Sequence, residues 1–123
     1  MLALSDPNLL RNTMYTAGSW SKPIASTGLD VFNPATGALV QTVFQGERED
    51  AAAAIDAAEG AFSEWSARTA KDRSMLLRRW HDLVIEHVDD LAHILTAEQG
   101  KPIAEARGEI LFGAAFFEWF AEE

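Results

Sequence analysis

Residues 110–120 read Ile-Leu-Phe-Gly-Ala-Ala-Phe-Phe-Glu-Trp-Phe, apolar at every position except Glu118. At 3.6 residues per turn, such a run is apolar on all sides of a helix rather than along one stripe. A helix of that kind belongs in the interior of a large protein or in a membrane. Crossing a bilayer takes about 20 apolar residues, so this run is too short to span. The sequence stops shortly afterwards, at Glu123. The expectation is that the polypeptide burying this helix lies downstream, and that these residues are a piece of a bigger protein.

The 123 residues amount to about one domain, and 48% hydrophobic residues is ordinary for a globular fold. Ten Lys and Arg stand against 19 Asp and Glu, a net charge of -9. Such a surface repels phosphate backbones and anionic lipid, so neither nucleic acid nor a membrane is expected as a partner. There is no cysteine, which excludes a disulfide, a thiolate zinc site and a cysteine nucleophile within these residues. The first residues lack the basic start and long apolar stretch of a signal peptide, so a cytoplasmic setting is expected.

Asp6-Pro7 is a helix-start signal, a capping side chain followed by proline. The turn formers Asn33-Pro34-Ala35-Thr36-Gly37 separate Val31-Phe32 from Leu39-Val40-Gln41-Thr42-Val43-Phe44. Those flanks are rich in β-branched and aromatic residues and predict a β-hairpin with a multi-residue turn. After Gly46 the period changes. Ile55, Ala58, Phe62 and Trp65 predict an amphipathic helix of about five turns, with acidic residues in its first turn facing the positive end of the dipole. Thr69 and Asp72 have capping-box spacing and open a second helix through Leu76, Leu77, Trp80, Leu83, Val84 and Val88. Asp89-Asp90 start a shorter third helix that ends at Gly100, and Pro102 is expected at the first position of the last. The outline is a β-hairpin region over residues 1–45 followed by three to four α-helices over 46–123.

Few residues here suggest chemistry. His81, His87 and His93 are six apart, so on a helix they point three ways and do not converge on a metal. Asp89-Asp90 reads as helix-start charge rather than an acid–base pair. Gly37, Gly46 and Gly60 lack the strand–glycine loop–helix context of a phosphate cradle. Gly108 and Gly113 are expected to allow close approach of a neighbouring element. Phe112, Phe116, Phe117, Trp119 and Phe120 are expected to pack in a core, as aromatics do. By itself this reading ends at an acidic, helix-rich segment without a reaction.

A set of phrases carries a resemblance. They are Val31-Phe32-Asn33-Pro34-Ala35-Thr36-Gly37, then Ala53-Ala54-Ile55-Asp56-Ala57-Ala58, and Trp65-Ser66-Ala67-Arg68-Thr69-Ala70-Lys71-Asp72-Arg73. Glu98-Gln99-Gly100-Lys101-Pro102, Ala104-Glu105-Ala106-Arg107-Gly108-Glu109-Ile110 and Phe117-Glu118-Trp119-Phe120-Ala121-Glu122-Glu123 follow in order. Together they resemble the N-terminal part of the aldehyde dehydrogenase superfamily, and its succinate-semialdehyde dehydrogenase branch most. One departure is Ala17-Gly18-Ser19-Trp20, where the family often has Asn-Gly or Asp-Gly before its first tryptophan. Ala17 lacks the side chain that stabilises such a turn, so a first hairpin here is expected to be weakened.

The resemblance implies an α/β parent enzyme with no complete catalytic domain in these residues. It implies oxidation of succinate semialdehyde to succinate through a cysteine thiohemiacetal, with NAD or NADP taking the hydride. Its other implied partners are the remainder of its own chain and further copies in a homo-oligomer. None of the family's catalytic or nucleotide-binding residues falls within this segment, which by itself should be inactive and bind no cofactor. Two site assignments carry over. A monovalent cation would lie between Glu98 and the carbonyl of Val31 or Phe32, and Phe112 and Phe116 would line the substrate tunnel. The competing expectation is a stand-alone, non-catalytic helical module that self-associates or binds a partner through its apolar last helix.

Overall fold

The computed structural model describes residues 2–24 and 27–123. Asp6-Pro7 produces a 3₁₀ turn, Pro7–Leu9, which Asp6 caps by accepting the N–H of Asn8. Strands β1 (Met14–Thr16) and β2 (Ser19–Ser21) form an antiparallel hairpin closed by Thr16 opposite Ser19. Its turn holds Ala17 at φ 51° and Gly18 at φ 80°. Two consecutive positive φ values are what a tight hairpin turn of the I′ kind requires. The weakness expected of Ala17 therefore does not prevent the hairpin; it leaves an alanine in the left-handed region, at a cost of about 1 kcal/mol. Ala17→Asn, which tolerates that region, should slow amide exchange across Met14–Thr16 and Ser19–Ser21 by about fivefold. Unchanged exchange would remove the strain argument.

Strands β3 (Gly28–Phe32) and β4 (Leu39–Phe44) form the second hairpin, with Gly28 opposite Phe44 and Phe32 opposite Leu39. The register slips between Val31 and Phe32. Beyond it, Asn33 organises the turn, its side-chain oxygen accepting from the N–H groups of Ala35 and Thr36. The last position of that turn is Gly37, at φ 69°.

Helix α1 (Arg48–Ala67) begins as its acidic first turn predicts. Asp50 accepts the Glu47 N–H at 2.9 Å and the Ile24 N–H at 2.8 Å, so one buried carboxylate both caps the helix and holds the chain arriving from β2. Helix α2 (Ala70–Glu86) starts at the expected cap, Thr69, which accepts the Asp72 N–H. His87 separates it from α3 (Val88–Gln99), which ends at a left-handed Gly100 as predicted. In α4 (Ile103–Glu122) Pro102 lies at the cap, one position earlier than expected.

Helix α4 packs on both α2 and α3. Its inward positions are Ala106, Ile110, Ala114, Phe117 and Ala121, with spacings of three and four that make one face. The buried hydrophobic residues are Val88, Ala92, Ala97, Ala106, Ala114 and Ala121, and no large side chain is fully buried among the described residues. A compact 13.5 kDa monomer exposes about 6,500 Å². This chain exposes 8704 Å². The excess, about 2,200 Å², is of the size that one side of an obligate interface presents.

Candidate functional site

Many large hydrophobic side chains stand exposed on this surface. Helix α1 leaves Ile55 and Phe62 uncovered, and α2 leaves Leu76 and Trp80 partly so. The densest patch is the outer face of α4. Phe112 (67% exposed), Phe116 (51%), Trp119 (63%) and Phe120 (63%) line an open groove with Ala115. The Phe112 and Phe116 rings meet edge to face, 5.1 Å between centroids, a favoured aromatic geometry. The expectation that this cluster packs in a core holds only for Phe117, which is half-buried and stacks on Trp80 at 4.3 Å. The physical reason is geometric. Two neighbouring helices cover one face of α4, whereas its apolar residues surround it. Likewise, a Cβ added at Gly108 or Gly113 would meet nothing within 4 Å, so no described residue approaches them.

Glu118, the lone polar residue of the run, has a partner that the sequence does not pair with it. The Arg78 guanidinium donates to Glu118 and to Glu122, one turn apart, clamping α2 to the end of α4. The hydrogen bond to Glu118, followed by that to Glu122, raises the arginine pKa further. A single acid in an apolar helical run, with a second acid four residues on, is the sequence signal for such a partner. Asp90 too has a role that its place in the sequence does not show. Beyond lying in the first turn of α3, it is buried and accepts the Ser5 and Asp6 N–H groups. Asp89, its neighbour, pairs instead with Arg107 at 2.9 Å.

The histidines take up separate local contacts. His93 Nδ1 lies 2.7 Å from the Asp89 carbonyl oxygen, which only accepts, so that nitrogen carries the proton. His81 Nδ1 lies 3.2 Å from Asp82. Among the described residues, no group of three or more His, Asp or Glu is placed to hold a metal ion. Phe32 ends β3 and Glu98 lies in the last turn of α3, both exposed. The elements carrying them meet where Pro34 abuts Gly100, so closely that a Cβ at Gly100 would stand 2.8 Å from the Pro34 ring. Glu98 itself lines a groove with Asp6, Asn8, Leu10, Arg11 and Ile94.

No acid, base or nucleophile converges on the aromatic groove, so it offers an apolar wall and no chemistry of its own. A dinucleotide cradle needs a parallel strand–glycine turn–helix unit, whereas the described strands form two separate antiparallel pairs. No helix among the described residues is long and apolar enough to cross a membrane.

Residues 20–123 match the model of the aldehyde dehydrogenase family. The chain belongs to that family. It is 48% identical over 122 residues to a glutarate-semialdehyde dehydrogenase of Pseudomonas putida, covering 99% of this chain and 25% of that protein. It is 47% identical over 122 residues to the NADP(+) succinate-semialdehyde dehydrogenase of Escherichia coli, with the same two coverages. The crystal structure of an aldehyde dehydrogenase from Brucella melitensis biovar abortus superposes with a TM-score of 0.97 at 50% identity, over 100% of this chain and 26% of that one. The chain thus spans about a quarter of the length of the curated relatives it matches. The helices that stand partly uncovered here follow the backbone of a much longer protein.

Proposed function

We propose that this chain is the N-terminal part of an NAD(P)-dependent aldehyde dehydrogenase whose substrate is a short aldehyde ending in a carboxylate, succinate semialdehyde in the first place. The observation that carries the reading is the agreement of two quantities. The chain matches its relatives almost end to end while covering 25% of them, and it exposes about 2,200 Å² more than a compact monomer of its mass. The relatives named for succinate and glutarate semialdehyde support the substrate class, since both aldehydes end in a carboxylate.

In this reading the segment supplies scaffold rather than chemistry. The family's nucleophile is a cysteine thiolate, and these residues contain no cysteine. The thiol, the oxyanion donors and the nucleotide site belong to the rest of the parent chain. Phe112 and Phe116 form a wall of the substrate tunnel, a role consistent with an aromatic face that carries no polar side chain. Glu98 and the Val31 or Phe32 carbonyl are hard oxygen donors suited to a monovalent cation. The contact of Pro34 with Gly100 supports that pairing by bringing the two segments together. Further copies of the parent complete a homo-oligomer.

The test has two readouts. The purified 123-residue chain, given succinate semialdehyde with NAD or NADP, should form no reduced nucleotide at 340 nm. The gene product isolated from its source cells should have a mass several-fold above 13.5 kDa and should turn over that substrate. Turnover by the short chain would overturn the assignment of chemistry elsewhere. A natural product of 13.5 kDa would favour the stand-alone helical module, whose support is the exposed aromatic face of α4.

A further inference from the structure

The residues before β1 are fastened to the helices by a side chain far away in sequence. Asp90, in the first turn of α3, presents both carboxylate oxygens to this segment. Oδ1 accepts the Ser5 N–H and Oδ2 the Asp6 N–H, each at 2.9 Å. Asp90 is 7% exposed, and a buried carboxylate is tolerated only when its oxygens are hydrogen-bonded. Asp6 serves the same contact from the other side. Its Oδ1 accepts from the backbone N–H and the side-chain amide of Asn8, and its carbonyl accepts the Leu9 N–H. This fixes the 3₁₀ turn and with it the direction of the two N–H groups aimed at Asp90. The docked segment then forms one wall of the groove whose other wall is Ile94 and Glu98 of α3. Its far end is tied where the Asn12 carbonyl accepts the Phe44 N–H.

We propose that residues 2–11 form a strap that opens and closes on α3 independently of the helices, with the Asp90 carboxylate as its latch and charge on that carboxylate as the control. The segment has the features of a local opening unit. It is short, its long-range hydrogen bonds converge on one side chain, and it carries no buried residue of its own.

The charge dependence has a definite sign. The Ser5 N–H, then the Asp6 N–H, favour the ionised form and lower the Asp90 pKa below its ordinary 3.8. The imidazoles of His87 and His93, when protonated, act in the same direction. Asp6 on the strap and Asp89 beside Asp90 in the sequence also carry charge, the latter paired with Arg107 of α4. A lowered carboxylate pKa gives a contact fully present above the unfolded value and lost as pH falls through the folded one. The strap therefore stays latched above the ordinary carboxylate range and is released as pH falls through the lowered value of Asp90.

Amide hydrogen exchange on the whole chain, normalised to intrinsic rates, tests this. Asp90→Asn turns an acceptor into an N–H₂ group facing a backbone N–H. It should raise exchange at Ser5 and Asp6 about tenfold or more at neutral pH, two charge-assisted bonds being weakened. Amides of Ala106 and Ala114 in α4 should be unmoved, and trypsin should cut faster after Arg11. Unmoved Ser5 and Asp6 amides would overturn the latch, and an equal rise in α4 would overturn its independence. The wild-type chain gives a second reading that does not depend on the variant folding. Protection at Ser5 and Asp6 relative to α4 should hold from neutral pH down to the ordinary carboxylate range and fall as pH drops through the lowered Asp90 value; loss starting well above that range, or none at all, would reject Asp90 as the control.

Discussion

Replacing Phe112 and Phe116 together by lysine should turn the isolated chain from a self-associating species into a predominantly monomeric one. It should also abolish most of its binding of a hydrophobic dye. The two rings, 67% and 51% exposed, form the centre of the apolar face of α4, with Trp119 and Phe120 continuing it. An exposed patch of this extent is where a soluble chain associates. Burying an aromatic side chain contributes about 1.5–3 kcal/mol. Removing two partly buried rings from a contact should therefore weaken association by two orders of magnitude or more, at about 1.4 kcal/mol per tenfold. Lysine is a good helix former, so α4 should persist and circular dichroism should be unchanged. Light scattering over a concentration series decides the matter. Association unchanged by the double substitution would move the sticky face to Ile55 and Phe62 of α1, or to Leu76 and Trp80 of α2. A wild-type chain that is monomeric and silent to the dye would refute the uncovered-surface reading itself.

That expectation starts from features legible in the sequence. The switch of period after Gly46, the Thr69 to Asp72 cap, the Asn-Pro turn and the terminating Gly100 are all local signals. Each places an element boundary because the physics responsible acts within one or two turns. The apolar run of residues 110–120 likewise announces that α4 needs neighbours. What it does not announce is which side they take, since a helix apolar all round has no preferred face. The contacts that fix the answer run between distant residues. Arg78 reaches Glu118 and Glu122 across 40 and 44 positions. Asp90 reaches Ser5 and Asp6 across 85 and 84. Asp50 reaches Ile24 across 26. In sequence each of these acids is one among many, and Asp50 and Asp90 look like ordinary helix-start charge. Burial separates them from the rest, and burial is a property of the fold. Ala17 shows the opposite case. Its local preference opposes the turn, and closure of the β1–β2 ladder overrides it.

A pair of substitutions one residue apart on α4 should move stability in opposite directions. Ala114 is 1% exposed on the face that meets α2 and α3. Ala114→Leu forces extra methylenes into a contact built on alanines and should destabilise the chain by about 1–3 kcal/mol. Gly113 is exposed, and a Cβ there would meet nothing within 4 Å. In the isolated chain Gly113→Ala should stabilise by up to about 1 kcal/mol, the ordinary gain from removing a glycine inside a helix. Urea midpoints of the two variants test both signs. The glycine carries the larger lesson, because its sign depends on what surrounds α4. If the parent enzyme lays a further element against that face, the same Gly113→Ala should become destabilising there, with its methyl group now filling space that the neighbour occupies. Gain in the short chain and loss in the long one would place the missing packing at Gly113. Gain in both would show that α4 turns a different face to the rest of the protein.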